Sequence, residues 1–287
     1  MIHILMKQIS KIVSRFYSYF RLLSLDILVG VLSGAYFSTH IFKVYPSIFF
    51  WIVLCVTVWI IYTIDHILDG IRTRGKPAFI SYKFHYKWRK ILVVLCSVFA
   101  ILNTILVFTF LEKELIHFGI VTFIFVLFYL LLNYTLRNSQ KFFPKEIMIS
   151  ILYTWGIFGG IIVLRGGVIF FQIVVVLNYL LLVLANVLIY SYFDFEHDKS
   201  GDFSTFAVNF GRGKTRVLIF GVLTLASILS IFLGCYFKDW LVFIVFETMS
   251  MALFLIVVYS RQFEKNKLFG IFTDAVFFLP ALPFLLK

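Results

Sequence analysis

The sequence predicts an all-α integral membrane protein with nine transmembrane helices. Of its 287 residues, 62% are hydrophobic and only 14% are charged, which leaves too little polar surface to cover a soluble globule. Nine mainly apolar segments have the length of about 20 residues that an α-helix needs to cross the hydrocarbon core. The positions of the Lys and Arg residues between these segments support the same count.

The nine segments follow one another along the whole chain. Each is a nearly unbroken apolar run, and charged residues separate it from the next, which is the pattern of successive membrane crossings. In chain order the predicted helices cover 22–40, 46–68, 90–110, 115–135, 146–164, 168–193, 215–236, 240–259 and 268–286.

The Lys and Arg residues indicate how the helices are oriented. If the N-terminus is cytoplasmic and the C-terminus is outside, the inside regions contain most of these residues, as the positive-inside rule predicts. The outside regions then hold five of the 26: Lys43, Lys113, Arg165, Lys238 and Lys287. The net charge of +12 reflects loops beside anionic lipid rather than a nucleic-acid surface. The frequent use of Phe, Ile and Lys is explained by a genome of low GC content, which favours a bacterial cytoplasmic membrane.

Residues 1–21 form a separate segment before the first membrane helix. Apolar residues alternate with Lys7, Lys11 and Arg15, a basic amphipathic pattern that predicts a helix lying in the membrane interface. A cleaved signal peptide is the alternative, but Asp26 interrupts the next apolar stretch and no convincing cleavage site follows. Residues 22–287 are expected to form a single nine-helix transmembrane domain.

Two pairs of aspartates with the same four-residue spacing are the most informative polar residues. Asp65 and Asp69 end helix 2, and Asp194 and Asp198 end helix 6, so both pairs are expected at the cytoplasmic face. Carboxylates at i and i+4 point the same way and repel, and a cation between them relieves this. A lone pair would more often be a solvated helix end, but two pairs on one membrane side favour one metal site built from two helices.

The segments that follow the pairs, 69–90 and 194–214, are predicted cytoplasmic loops rich in cations. Arg72 and Lys76 follow the first pair, and Lys199 follows the second. Carboxylates that hold a divalent cation therefore lie beside residues that hold an anion. This combination favours an organic diphosphate bound through Mg²⁺.

A polar stripe continues from the second pair into the membrane. Asn186, Tyr190, Asp194 and Asp198 recur every four residues, so they share one face of helix 6. A polar stripe in a membrane helix faces protein or water rather than lipid. Asn186 is therefore a candidate pocket residue, with an interhelical hydrogen bond as the equal alternative.

The residues around the second pair resemble the motif DxxxDxxxGxxTxxxxxG of the UbiA superfamily of intramembrane prenyltransferases. Both aspartates of the pair occupy the aspartate positions, and Thr205 and Gly211 follow at the expected distances. Gly201 comes one residue early. Asp202 stands in its place and is expected to act as an extra acidic ligand.

The first pair resembles the family's other motif less closely. Asp65 and Asp69 match its aspartates, but Ile61 and Tyr62 stand where an Asn and an Asp are usual. Tyr190 likewise replaces an Asn one turn before the second motif. These changes remove polar groups that help to hold a metal–diphosphate assembly in the family.

The resemblance implies nine helices around a central cavity, and Mg²⁺-dependent transfer of a prenyl group from an isoprenoid diphosphate to a lipophilic, usually aromatic, acceptor within the membrane. The four paired aspartates would be the catalytic metal ligands, with Asp202 as a further one. The remaining candidate substrate contacts are Arg72, Lys76, Lys199, Asn186, Tyr190 and Tyr62.

Two other functions are compatible with the sequence. A catalytically impaired relative that binds lipid or isoprenoid, or acts as a scaffold, would explain Ile61, Tyr62 and Tyr190. An ion-coupled transporter would also contain intramembrane carboxylates, but it would place them near the bilayer midplane beside broken helices rather than at helix ends.

Overall fold

The computed structural model describes residues 19–73, 80–135, 145–201, 203–265 and 268–285. Regular structure in these ranges is entirely helical, and nine of the described helices are long and apolar enough to cross a membrane. The predicted all-α membrane fold is therefore confirmed. Most of the predicted interfacial segment 1–21 lies outside the described residues.

The helices keep the predicted order, with short helices added between the membrane spans. Their bounds are α1 Leu25–Phe42, α2 Ile48–Arg72, α3 Ile80–Phe110, α4 Lys113–Thr135, α5 Lys145–Arg165, α6 Phe170–Phe193, α7 Phe195–Ser200, α8 Phe206–Phe210, α9 Arg212–Phe237, α10 Trp240–Val258, α11 Ser260–Glu264, α12 Leu268–Val276 and α13 Leu282–Leu285.

Helix α3 begins ten residues before its predicted start. Its 31 residues correspond to about 46 Å at the α-helical rise, against a hydrocarbon core of about 30 Å. The added turns contain the charged residues Lys83, Lys87 and Arg89, so the apolar pattern used for the prediction does not extend to them. These turns approach α2 closely, since a Cβ on Gly70 would come within 2.8 Å of the Tyr82 carbonyl oxygen.

The described residues fall into two compact units. Unit 1 contains residues 19–29 and 49–109, and within it α2 and α3 form an antiparallel pair. Asn103 Nδ2 on α3 donates to Thr57 Oγ1 on α2 at 2.9 Å. One turn further on, the rings of Trp59 and Phe99 meet edge to face. Such interhelical polar and aromatic contacts stabilise packing where lipid supplies no hydrophobic driving force.

Unit 2 contains residues 30–48 and 110–285, with α6 at its centre. Helix α6 packs against α5, α9, α10 and α12. Tyr179, Leu182 and Ile189 on α6 are fully buried. Gly34 lets the unit 2 part of α1 approach closely, because a Cβ there would lie 2.5 Å from the Tyr179 hydroxyl.

The ninth membrane span, Leu268–Leu285, is broken rather than continuous. Pro280 cannot donate a backbone hydrogen bond, and the chain forms a 3₁₀ turn at Leu279–Ala281 before α13. Ser33 on α1 repairs the break: its hydroxyl donates to Phe278 O at 2.9 Å and accepts from Ala281 N at 3.0 Å. A non-helical segment at membrane depth requires such partners.

Candidate metal and diphosphate site

The first aspartate pair lies in the last two turns of α2, in unit 1. Asp69 is buried, Asp65 is half-buried, and Arg72 ends the helix. Four residues apart on a regular helix, the two carboxylates share one face. Thr73 closes the helix, since its backbone N–H and its hydroxyl both donate to Asp69 O at 2.9 Å. Lys76 lies outside the described residues.

The histidine next to the first pair is engaged by the surrounding protein. His66 Nδ1 lies 3.2 Å from the Ser24 hydroxyl, and its ring is 4.9 Å from that of His85 on α3. Tyr62 is half-buried, one turn before His66. Together with the close approach at Gly70, these contacts fix the end of α2 that carries the aspartates.

The second aspartate pair lies where α6 passes into α7, in unit 2. Asp194 occupies the junction and its N–H donates to Tyr190 O at 2.9 Å, while Asp198 N–H donates to Asp194 O at 2.8 Å. The helical spacing therefore continues through the junction. Asp198 is 9% exposed, whereas the side chain of Lys199 is exposed and its Nζ lies 5.8 Å from the centre of the Phe195 ring.

Burial controls the charge of Asp198. It raises the pKa of this carboxyl from 3.8 to about 7; the positive charge of Lys145 opposes the rise, and the negative charges of Asp194 and Glu146 add to it. Near neutral pH the group is thus only partly ionised. A divalent cation would favour the ionised carboxylate and compete with the proton.

The Thr and Gly half of the second motif folds back onto α5 and α6. Phe203 N–H donates to Asp198 O at 2.9 Å, and Ala207 N–H donates to the Ser191 hydroxyl at 3.0 Å. Gly211 has a φ of +90°, which glycine adopts without strain, and it starts α9. Asp202 lies outside the described residues.

Gly201 is required by packing although it stands one position early in the motif. A Cβ there would lie 2.7 Å from the ring of Phe203. The buried Phe203 ring therefore explains why a glycine occupies this position.

Lys145 and Glu146, at the start of α5, were missed by sequence reasoning as site residues. Glu146 Oε1 accepts the Phe206 N–H at 2.5 Å, and Lys145 Nζ lies 5.4 Å from the centre of the Phe203 ring. The available signal was a Lys–Glu pair at the predicted cytoplasmic end of helix 5.

The stripe residues of α6 have different surroundings. The Tyr190 hydroxyl donates to Asp274 Oδ2 at 2.5 Å and lies 3.0 Å from Gly270 O, so it joins α6 to α12. Asn186 is half-buried, and its Oδ1 is buried without a hydrogen-bond partner among the described residues. The polar character of the stripe thus serves helix packing at Tyr190 and leaves an acceptor atom open at Asn186.

Each unit brings together the two members of its own aspartate pair, and the joining of both pairs in one site stays a prediction. Among the described residues, no group of three or more His, Cys, Asp or Glu is placed to hold a metal ion. Each pair can therefore supply at most two carboxylate ligands. That fits Mg²⁺, which keeps several waters and usually takes one or two carboxylates plus phosphate oxygens.

Comparison with known proteins identifies the fold. No known protein family matches the sequence, and no curated protein matches it. A solved structure of digeranylgeranylglyceryl phosphate synthase in membranes matches with a TM-score of 0.50, over 94% of this chain and 99% of that chain. The chain has a UbiA-type fold. The sequence identity is 17%, so the likeness concerns the fold, and it confirms the fold expected from the aspartate motifs.

Proposed function

We propose that this membrane protein transfers a prenyl group from an isoprenoid diphosphate to a lipophilic acceptor of the aromatic class, in a Mg²⁺-dependent reaction. The observation that carries the proposal is the second motif: an aspartate pair with a buried Asp198 continues helically from α6 into α7, and its Thr and Gly half folds back beside it. The UbiA-type fold supports the same reaction class.

The paired aspartates Asp65, Asp69, Asp194 and Asp198 would hold Mg²⁺, with Asp202 as a further acidic residue. The ion would neutralise the charge that accumulates on the departing diphosphate as the allylic C–O bond breaks. The chain's own cations would share this role. The candidates are Arg72, Lys76 and Lys199, to which the structure adds Lys145.

The allylic cation formed on departure of the diphosphate needs an aromatic, water-poor environment. Beside the second pair, the rings of Phe193 and Phe269 stack with centroids 4.5 Å apart and an interplanar angle of 8°. Aromatic faces attract cations more strongly when water is excluded. Tyr62 and Tyr190 would add aromatic surface, and Asn186 Oδ1 would accept a hydrogen bond from the acceptor.

The helix order of the sequence supports placing both motifs on one side of the membrane. If each long helix crosses the bilayer once, α2 and α6 run in the same direction, and the motifs at their C-terminal ends face the same side. With the N-terminus inside, that side is the cytoplasmic face, where soluble diphosphate and Mg²⁺ would enter. The Phe, Ile and Lys usage of the sequence supports a bacterial cytoplasmic membrane as the location.

One observation favours a second candidate function, isoprenoid binding without turnover. The hydroxyl of Tyr190, which replaces an Asn one turn before the second motif, donates a hydrogen bond to Asp274 on α12. With Ile61 and Tyr62 in the first motif, the site has fewer polar groups than the family pattern. Binding without release of diphosphate would identify this function.

The test is binding of a non-hydrolysable allylic thiodiphosphate to the detergent-purified protein, with Mg²⁺ or with EDTA. We expect Mg²⁺-dependent binding that Asp194→Asn weakens at least about tenfold, because one ligand carboxylate is lost. Asp239→Asn is the matched control: Asp239 caps α10, a role that Asn performs equally well. Absence of binding under every metal condition would refute the proposal, and binding without product from an allylic diphosphate would favour the non-catalytic function.

A further inference from the structure

We propose that Glu146 is an outer-sphere carboxylate of the metal site at the second aspartate pair. One of its oxygens fixes the segment 203–211, and the other accepts a hydrogen bond from a metal-bound water. The two aspartate motifs do not include this residue. The inference rests on the proposed Mg²⁺ site and names a further residue that would tune it.

The first oxygen of Glu146 anchors the returning half of the motif. Oε1 accepts the Phe206 N–H at 2.5 Å, although the two residues are 60 positions apart. Phe206 is the first residue of α8, whose leading N–H groups have no partner within the helix. The next N–H, of Ala207, is taken by Ser191 on α6. Side chains of α5 and α6 therefore hold the start of α8 together.

Within the described parts of the chain, the second oxygen of Glu146 has no such partner. The residue is 1% exposed, and its Oε2 is buried without a hydrogen-bond partner among the described residues. A buried carboxylate oxygen without a hydrogen bond lowers the stability of the folded state. We therefore expect a donor there that is not part of the described chain. The segment that Glu146 anchors lies directly beside the motif, since the Phe203 N–H donates to Asp198 O at 2.9 Å.

A water bound to the metal is the donor that fits these surroundings. No direct ligand set of three acidic or histidine side chains exists among the described residues, which argues against Glu146 as a third direct ligand. Mg²⁺ keeps several waters, and carboxylates that hydrogen-bond to such waters tune metal affinity.

Two substitutions distinguish the roles of the two carboxylate oxygens of Glu146. In Glu146→Gln the amide oxygen must face the Phe206 N–H, because the opposite orientation would place two donors together. Its NH₂ group then replaces Oε2 and cannot accept from a water. Glu146→Ala removes both acceptors. Ser150→Ala, on the same helix, is the control: its buried hydroxyl donates only to the backbone oxygen of Glu146.

The measurements use the full-length protein in detergent at about pH 8.5, so that proton competition is small. The first is the Mg²⁺ concentration for half-maximal binding of the allylic thiodiphosphate. The second is amide hydrogen exchange of residues 203–211, which reports the anchor and needs no ligand. We expect E146Q to raise the Mg²⁺ midpoint about 10- to 100-fold with unchanged exchange. E146A should change both, and S150A neither.

Other outcomes overturn the inference. A parent-like Mg²⁺ midpoint in E146Q would leave the metal site intact and remove Glu146 from it. Faster exchange in E146Q, equal to that in E146A, would show that Glu146 acts through the anchor alone. A parent protein with no Mg²⁺-dependent binding would instead refute the proposed function, and the inference with it.

Discussion

Asp198 shows how one buried residue can make the whole site responsive to pH. Burial raises the pKa of its carboxyl to about 7, from 3.8. Between these two values the folded protein holds a proton that the unfolded chain has released. The contribution of Asp198 to stability without metal therefore falls as pH rises from about 4 to about 7, because this group binds more protons in the folded state there.

The first prediction is that Mg²⁺ reverses this loss. In EDTA, the thermal unfolding midpoint should decrease between about pH 5 and pH 7.5, and saturating Mg²⁺ should raise it more at the higher pH, since the metal binds the ionised form. Asp198→Asn should remove both effects, because Asn stays neutral like the protonated acid. A parent profile as flat as that of D198N would contradict a buried, proton-binding Asp198.

At the level of helices, the first motif depends on how closely α3 approaches α2. A Cβ on Gly70 would lie 2.8 Å from the Tyr82 carbonyl oxygen and 3.2 Å from Tyr86, and backbone atoms cannot move aside as a side chain can. The ten residues that α3 gains at its start therefore position the end of α2. They lie outside the apolar membrane segment of α3.

The second prediction concerns this contact. Gly70→Ala should destabilise the protein by about 1–3 kcal/mol, the usual cost of overpacking, and should weaken Mg²⁺-dependent thiodiphosphate binding. Gly119→Ala on α4 is the matched control: a Cβ there meets nothing within 4 Å, so the better helix propensity of Ala should leave stability unchanged or raised. Equal effects of the two substitutions in urea or thermal unfolding would contradict the packing argument.

At the level of the whole molecule, the two aspartate motifs belong to different compact units. Their separation along the chain requires that one shared site be assembled by tertiary structure. Energetic coupling between the motifs is therefore the property that distinguishes one diphosphate site from two independent cation sites.

The third prediction is that Asp69→Asn and Asp198→Asn are not additive. If both pairs bind the same metal–diphosphate assembly, each substitution should weaken thiodiphosphate binding at least about tenfold, and the double variant should lose less than the product of the two factors. If the loss of affinity in the double variant equals the product of the two single losses, the two aspartate pairs form separate sites. Asp239→Asn combined with Asp198→Asn provides the independent pair for comparison.

The sequence by itself determined the class of protein and the candidate metal ligands. Nine membrane helices follow from local apolar length, since transfer of a 20-residue segment into lipid depends on that segment alone. The aspartate pairs follow from a four-residue spacing on helices, which is also local. The UbiA-type fold was predicted from these features and is confirmed.

Only the tertiary structure decided the surroundings of those ligands. Glu146 meets Phe206 across 60 residues, and Tyr190 meets Asp274 across 84. The early start of α3 brings Tyr82 against Gly70 of α2. None of these contacts leaves a periodic pattern, because a buried polar group is satisfied by whichever donor or acceptor the fold brings near it.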